Sequence, residues 1–182
     1  MNAVTSLASA YARAAHWHRD QKRKGEAAEP YVNHLTEVAD LVAEATAGGD
    51  LPLVIAAVLH DAVEDAGVTA RQIAAEFGED VAALVMEVTD DKSLPKEERK
   101  RLQVETTPHK SSRAKIIKLA DKTSNLNAIR TSPPPWPLER RQAYLDWARA
   151  VVAGARGVNP MLEERFDAAA RELEAALNEK RA

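Results

Sequence analysis

The stretch AAVLHDAVEDAG, Ala56 to Gly67, decides how this chain is read. It continues the apolar run LVIAAVL and reads as the second half of a helix that starts near Leu51-Pro52 and stops before Gly67. It also carries His60, Asp61, Glu64 and Asp65 close together, with no Lys or Arg among them. Like charges one helical turn apart, such as Asp61 and Asp65, cost about 0.2–0.5 kcal/mol per pair. With His60 at the origin of a helical wheel, Asp61, Glu64 and Asp65 fall at about 100°, 40° and 140°. Leu51, Ile55, Val58, Leu59, Ala62 and Val63 occupy about 160–300°. One face is built for a core and the other gathers an imidazole and three carboxylates. A solvated acidic face is the ordinary explanation of a charge cluster, but a bound cation removes the repulsion directly.

Outward from this segment the pattern stays helical. Aromatics are 4% of the chain, and Ala, Leu, Glu, Arg and Lys dominate. A first helix is predicted from about Val4 to Gln21, followed by the basic loop KRKGEAAEP and a second helix from Tyr31 to Ala47 that ends at Gly48-Gly49. Thr69 to Gln72 is a capping-box pattern that opens another helix, which Gly78 stops before EDVAALVMEV. The loop DDKSLP leads into the basic helix KEERKRLQVE, with Pro95 at its first turn. A further helix covers roughly Ser112 to Ile129 until TSPPPWP breaks it. Two more are predicted, from about Leu138 to Ala155 and from Pro160 to Lys180. The triple proline reads as an internal loop, because the residues after it build little core alone. The expectation is an all-α globule, a single domain over residues 1–182, and not a symmetric bundle.

The bulk numbers narrow the function. The 182 residues carry a formal net charge of −3, which gives no broad basic surface and argues against nucleic-acid partners. There is no cysteine, so disulfide frameworks and thiolate metal sites are excluded. The N-terminal residues lack the basic and apolar blocks of a signal peptide, and LVIAAVL is far short of the ~20 residues that span a bilayer. A cytoplasmic protein with no membrane association is expected.

A metal site needs ligands from more than one helix, because adjacent His60 and Asp61 cannot close a coordination sphere. His34 in PYVNHLTEVADLV is one candidate, although a lone histidine on an amphipathic helix is more often a core or surface residue. Asp121 in AKIIKLADKTSNL interrupts the apolar residues Ile116, Ile117, Leu119 and Ala120. A carboxylate buried there needs a cation or strong hydrogen bonds, and Lys118 or Lys122 could satisfy it as an ordinary ion pair. Asn125 lies one turn further along the same face.

His34, then His60-Asp61, then Asp121 is the ligand order of the HD superfamily of metal-dependent phosphohydrolases. RKG…PYVNH, AAVLHDAVEDAGVT, FGEDVAALVMEVTDDKSLPKEERKRLQ and KLADKTSNL together resemble the hydrolase domain of the RelA/SpoT family. The resemblance is closest to its hydrolase-only branch of small alarmone hydrolases and metazoan SpoT homologues. It runs from the first helix through YLDWARAVV. It implies an all-α HD domain of about eight to ten helices and hydrolysis of the 3′-pyrophosphate of guanosine tetra- and pentaphosphate. His34, His60, Asp61 and Asp121 would be the metal ligands. Two nitrogens and two carboxylates suit Mn²⁺, and residue identities also admit Zn²⁺, Fe²⁺ or Ni²⁺.

Glu64 and Asp65 match the family's catalytic acidic pair, which orients or deprotonates the attacking water. Arg23 and Lys24 match the Arg-Lys pair that packs on the base and contacts phosphate, Asn125 matches a ribose contact, and Lys96, Arg140 and Tyr144 are carried over as phosphate and sugar contacts. Two departures stand out. Leu35 replaces the proline that usually follows the first ligand histidine, where a local effect on positioning is expected. Thr123-Ser124 replaces a bulkier pair before the motif's asparagine, which bears on fine substrate preference. Two rival readings are an HD phosphatase acting on another nucleotide, such as the 2′-phosphate of NADPH, and a non-catalytic alarmone-binding helical protein. Pure binding needs no water-activating pair, so Glu64-Asp65 argues against the second. Apolar positions in the last two helices suit either the core or a homodimer interface.

Overall fold

A computed structural model describes residues 2–180. Its helices follow in the order α1 (Ala3–Trp17), α2 (Val32–Ala45), α3 (Leu51–Leu59), α4 (Ala62–Ala66), α5 (Ala70–Phe77), α6 (Glu79–Val88), α7 (Lys96–Thr106), a 3₁₀ turn (Thr107–His109), α8 (Ser112–Thr131), α9 (Leu138–Ala153) and α10 (Pro160–Glu179). No strand occurs among the described residues, and the sole bridge there, Lys22 to Pro30, pins the basic loop. The fold is all-α, as the composition predicts.

The core is organised around α3 and α8. Every residue of α3 from Leu53 to Leu59 is buried, so this helix is apolar all round and lies inside. It packs against α1, α2, α6 and α8. Each fully buried Leu or Ile there contributes about 1.5–3 kcal/mol by leaving water. Helix α8 packs against α2, α6, α9 and α10. It too is buried on most sides, but with Lys118, Asp121, Lys122, Thr123 and Ser124 among its buried residues. Buried polar groups on a central helix must find partners, and those partners build the site.

The punctuation read from the sequence acts where expected. Thr69 and Gln72 form a reciprocal capping box on α5. Pro95 stands just ahead of α7 instead of in its first turn, and Asp50 and Asn159 cap α3 and α10, two caps not read from the sequence. Gly67 ends α4 in a left-handed conformation at φ 68°. The first helix is shorter than predicted and stops at Trp17, and a 3₁₀ turn at Thr107–His109 was not legible in the pattern.

One difference matters. The predicted continuous helix from Leu51 to Gly67 is broken at His60-Asp61 into α3 and α4. The cause is local competition for a carbonyl. His60 Nδ1 lies 2.8 Å from the Ala57 oxygen, which an unbroken helix would give to the Asp61 N–H. A side chain inserted into the ladder is an ordinary cause of a helix break.

Candidate metal centre and anion-binding cleft

Three elements bring the sequence-predicted ligands together. His34 comes from the first turn of α2, His60 and Asp61 from the α3–α4 break, and Asp121 from the middle of α8. One ligand atom each from His34, His60 and Asp121 lies within 4.8 Å of the others, and all three residues are buried. His34 Nε2 is 3.4 Å from Asp121 Oδ1 and 3.8 Å from Asp61 Oδ2. His60 Nε2 is 3.1 Å from the same Asp61 oxygen. Leu35, at the position where proline is usual, is fully buried and leaves His34 in the cluster.

The donor set fits a divalent cation. The Ala57 carbonyl fixes the proton of neutral His60 on Nδ1, so Nε2 presents a lone pair. That nitrogen is buried and, apart from the 3.1 Å approach of Asp61 Oδ2, has no hydrogen-bond partner among the described residues. A buried lone pair facing a carboxylate needs positive charge between them. The titration of the cluster carries the same demand. Burial alone would lower His60, but Asp61 and Asp121 outweigh it and push the imidazole up to about 9. Burial holds His34 below its usual value. Asp61 and Asp121 are buried, which opposes ionisation, yet both lie below the usual carboxylate range. His60 and His34 hold Asp61 down, and Lys122 and His34 hold Asp121 down.

Further groups fix the carboxylates. Tyr31 donates its hydroxyl to Asp61 Oδ2 at 2.6 Å. Asp121 divides its oxygens: Oδ2 meets Lys122 Nζ at 2.8 Å, and Oδ1 accepts from Asn125 Nδ2 at 2.6 Å. The ordinary ion pair weighed for Asp121 therefore exists with Lys122, beside the cluster. Lys118 turns away and donates to the Val88 carbonyl.

Glu64 and Asp65 sit beyond the ligands on α4 and are separated by their partners. Glu64 Oε2 accepts from the Asp90 N–H at 3.2 Å, and Oε1 faces Arg99 at 3.5 Å. Burial, then the nearby carboxylates of Asp90 and Asp61, raises its pKa. Asp65 pairs with Lys92. The acidic cluster lacks bases within its own segment, but Lys92 and Arg99 return from the loop and helix that follow α6.

Three hollows of about 150, 610 and 210 Å³ share walls. The smallest is lined by His60, Asp61, Asp121 and Glu64. Glu64 also lines the largest, with Lys24, Lys96, Arg99, Lys100 and Arg140. Tyr144 and Lys24 connect that hollow to the third, which Arg23, Asn125 and Trp136 line. All six sequence-predicted substrate contacts line two adjoining hollows that share Lys24, Trp136 and Tyr144. Burial and the neighbouring Arg140 and Lys100 lower the pKa of Lys96. Burial pushes the Tyr144 hydroxyl up to about 12.

The loop that carries Arg23 and Lys24 is held against the end of α8. Ala27 N–H donates to Ser132 Oγ at 3.0 Å, and Arg23 Nη2 donates to Asn125 Oδ1 at 3.2 Å. A Cβ at Gly25 would stand 2.1 Å from the Ser132 oxygen, so only glycine fits this approach. Sequence reasoning missed Tyr31, Asp90, Arg99, Lys100 and Trp136. Tyr31 lay inside the quoted PYVNH, and Arg99 and Lys100 lay in a basic run that reads as plain surface. Arg140, in the first turn of α9, stacks over Trp136 of the preceding TSPPPWP segment, with 4.3 Å between the guanidinium carbon and the ring centre.

Comparison with known proteins gives a consistent result. A family model described as HD domain matches residues 8–147. The guanosine-3′,5′-bis(diphosphate) 3′-pyrophosphohydrolase MESH1 of Xenopus tropicalis is 47% identical over 155 residues, covering 85% of this chain and 87% of that protein. The Homo sapiens protein of the same name is 48% identical over 152 residues, covering 83% and 85%. A solved structure described as a metazoan ortholog of SpoT that hydrolyses ppGpp has a TM-score of 0.88 at 43% identity, covering 92% of this chain and 94% of that one. The chain belongs to the HD domain family and, within it, to the hydrolase-only branch of the RelA/SpoT group.

Proposed function

We propose that this chain is a metal-dependent 3′-pyrophosphohydrolase of guanosine tetra- and pentaphosphate, releasing GDP or GTP and pyrophosphate. The observation that carries this reading is the position of Glu64. It lines both the hollow of the His/Asp cluster and the hollow of clustered cations, so a water-activating carboxylate stands between the ligand set and the phosphate-binding wall. The activity named for the relatives at 47–48% identity supports it.

His34, His60, Asp61 and Asp121 would hold one divalent cation, Mn²⁺ in this proposal. Such an ion supplies Lewis acidity at the scissile phosphoryl group and makes water more acidic. The chain's own residues do the rest. Lys24, Lys96 and Arg140 bind phosphate oxygens, and the Arg23 guanidinium stacks on the base. Asn125 and Tyr144 hold the ribose. Glu64, with its raised pKa, accepts the proton of the attacking water, and Asp65 orients it and passes protons outward. We further propose that residues 1–182 act as a single cytoplasmic domain. Among the described residues no helix is long and apolar enough to cross a membrane, and the helices on both sides of TSPPPWP share one core.

Product analysis tests the reading. With Mn²⁺ the protein should convert guanosine tetraphosphate to GDP and pyrophosphate, with the 3′ position cleaved. Activity should vanish on chelation. Exclusive turnover of another nucleotide in a side-by-side panel that includes NADPH would shift the assignment to the rival phosphatase.

A further inference from the structure

We infer that Glu37 and Ser124 form a positioning relay that fixes the proton of His34 and thereby sets the metal affinity of the site; this rests on the metal reading above. His34 and Glu37 stand three residues apart on α2, and Asp121 and Ser124 stand three apart on α8, so each pair shares a face where the two helices pack. His34 Nδ1 lies 2.8 Å from Ser124 Oγ, and Ser124 Oγ donates to Glu37 Oε2 at 2.6 Å. Ser124 is completely buried. Asn127 Nδ2 supports the other Glu37 oxygen at 3.4 Å.

The direction of the relay follows from proton counting. A hydroxyl has one proton, and the Glu37 carboxylate can only accept it. Ser124 must then accept from His34, which places the imidazole proton on Nδ1. Nε2 is left with its lone pair aimed toward Asp121 and Asp61, the form a metal ligand requires. Without Glu37 the serine proton is free to turn to Nδ1. His34 would then carry its proton on Nε2, against Asp121, and block coordination. The Thr123-Ser124 departure therefore acts on the metal side. Thr123 donates to the Leu119 carbonyl, and neither residue lines the hollows of the cleft.

The test uses Ser124→Ala, Glu37→Ala, Glu37→Gln and the Ser124→Ala/Glu37→Ala double variant. Mn²⁺ affinity is measured by titration with detection of free Mn²⁺, and the His34 tautomer by long-range ¹H–¹⁵N spectra of the metal-free proteins. Ser124→Ala and Glu37→Ala should each weaken Mn²⁺ binding by about ten- to a hundredfold. The double variant should be no weaker than the worse single one, because both break the same chain. Glu37→Gln, which keeps a carbonyl acceptor for the serine proton, should retain most of the affinity. Wild-type His34 should carry its proton on Nδ1. A wild-type proton on Nε2, or unchanged Mn²⁺ affinity in Glu37→Ala, overturns the relay; because Glu37 is half-buried, that variant serves even where Ser124→Ala does not fold. Wild-type protein that binds no Mn²⁺ yet keeps the Nδ1 proton would overturn the metal reading itself, and with it the purpose of the relay.

Discussion

At the residue scale, the proposed function assigns some groups to hold charge and others to move protons. His60 illustrates the first. Its Nδ1 is tied to its own helix, and its Nε2 is buried against Asp61 with no hydrogen bond formed among the described residues. Glu64 illustrates the second, with a pKa raised by burial and by neighbouring carboxylates. The division predicts different losses. His60→Ala should abolish both Mn²⁺ binding and turnover. Glu64→Gln should bind Mn²⁺ normally and lose about 10²–10⁴ in kcat, the usual contribution of a positioned acid or base. Metal analysis beside steady-state kinetics separates the two, and equal metal loss in both variants would contradict the division. The cluster of His60 and Asp61 and the buried Asp121 asked for a cation on physical grounds, whereas His34 and the full set of four entered through the family resemblance. The Lys92 and Arg99 partners were not legible, since they arrive from a distant segment. The contacts of Ser124 with His34 and Glu37 were not legible either, because residue spacing alone does not say which neighbouring helix a face meets.

At the element scale, periodicity and capping signals gave the helices to within a few residues. The break at His60-Asp61 escaped them. A helical wheel counts side chains and is blind to an imidazole that takes the helix's own carbonyl. The starts of three helices are tied by one guanidinium. Arg113 of α8 makes paired hydrogen bonds to Asp50, the cap of α3, at 2.7 and 2.8 Å, and to Asp80 of α6 at 2.8 and 3.0 Å. Burial works to raise the Asp50 pKa, but Arg113 and the Leu53 N–H outweigh it and lower it. A carboxylate lowered on folding adds stability above its unfolded pKa, about 3.9, and that stability fades as pH falls through the folded value. Arg113→Ala should therefore cost about 1 kcal/mol at pH 7, or about 2–4 °C in Tm for a chain of this size. The difference from wild type should shrink below about pH 4. Thermal melts across pH check this, and a deficit that persists undiminished at pH 2 would contradict the ion-pair account.

At the scale of the whole molecule, the net charge is −3, yet Lys24, Lys96, Arg99, Lys100 and Arg140 converge on one wall of the cleft. The balance of charge read from the sequence excluded a broad basic surface and gave no sign of this local concentration. Folding creates it by setting the α1–α2 loop, α7 and α9 side by side. Such a wall attracts a highly anionic substrate over a distance that salt shortens. Raising ionic strength from about 0.05 to 0.3 M should lower kcat/KM by roughly tenfold. Arg140→Ala should flatten that dependence, whereas a salt-independent kcat/KM would contradict electrostatic capture. The central claim is that three helical elements place His34, His60, Asp61 and Asp121 around one catalytic cation. Anomalous diffraction at the manganese edge, from crystals equilibrated with Mn²⁺, tests it most directly. The account predicts a single strong peak bonded to His34, His60, Asp61 and Asp121. A peak elsewhere, or no peak among these residues in crystals of active protein, would contradict it.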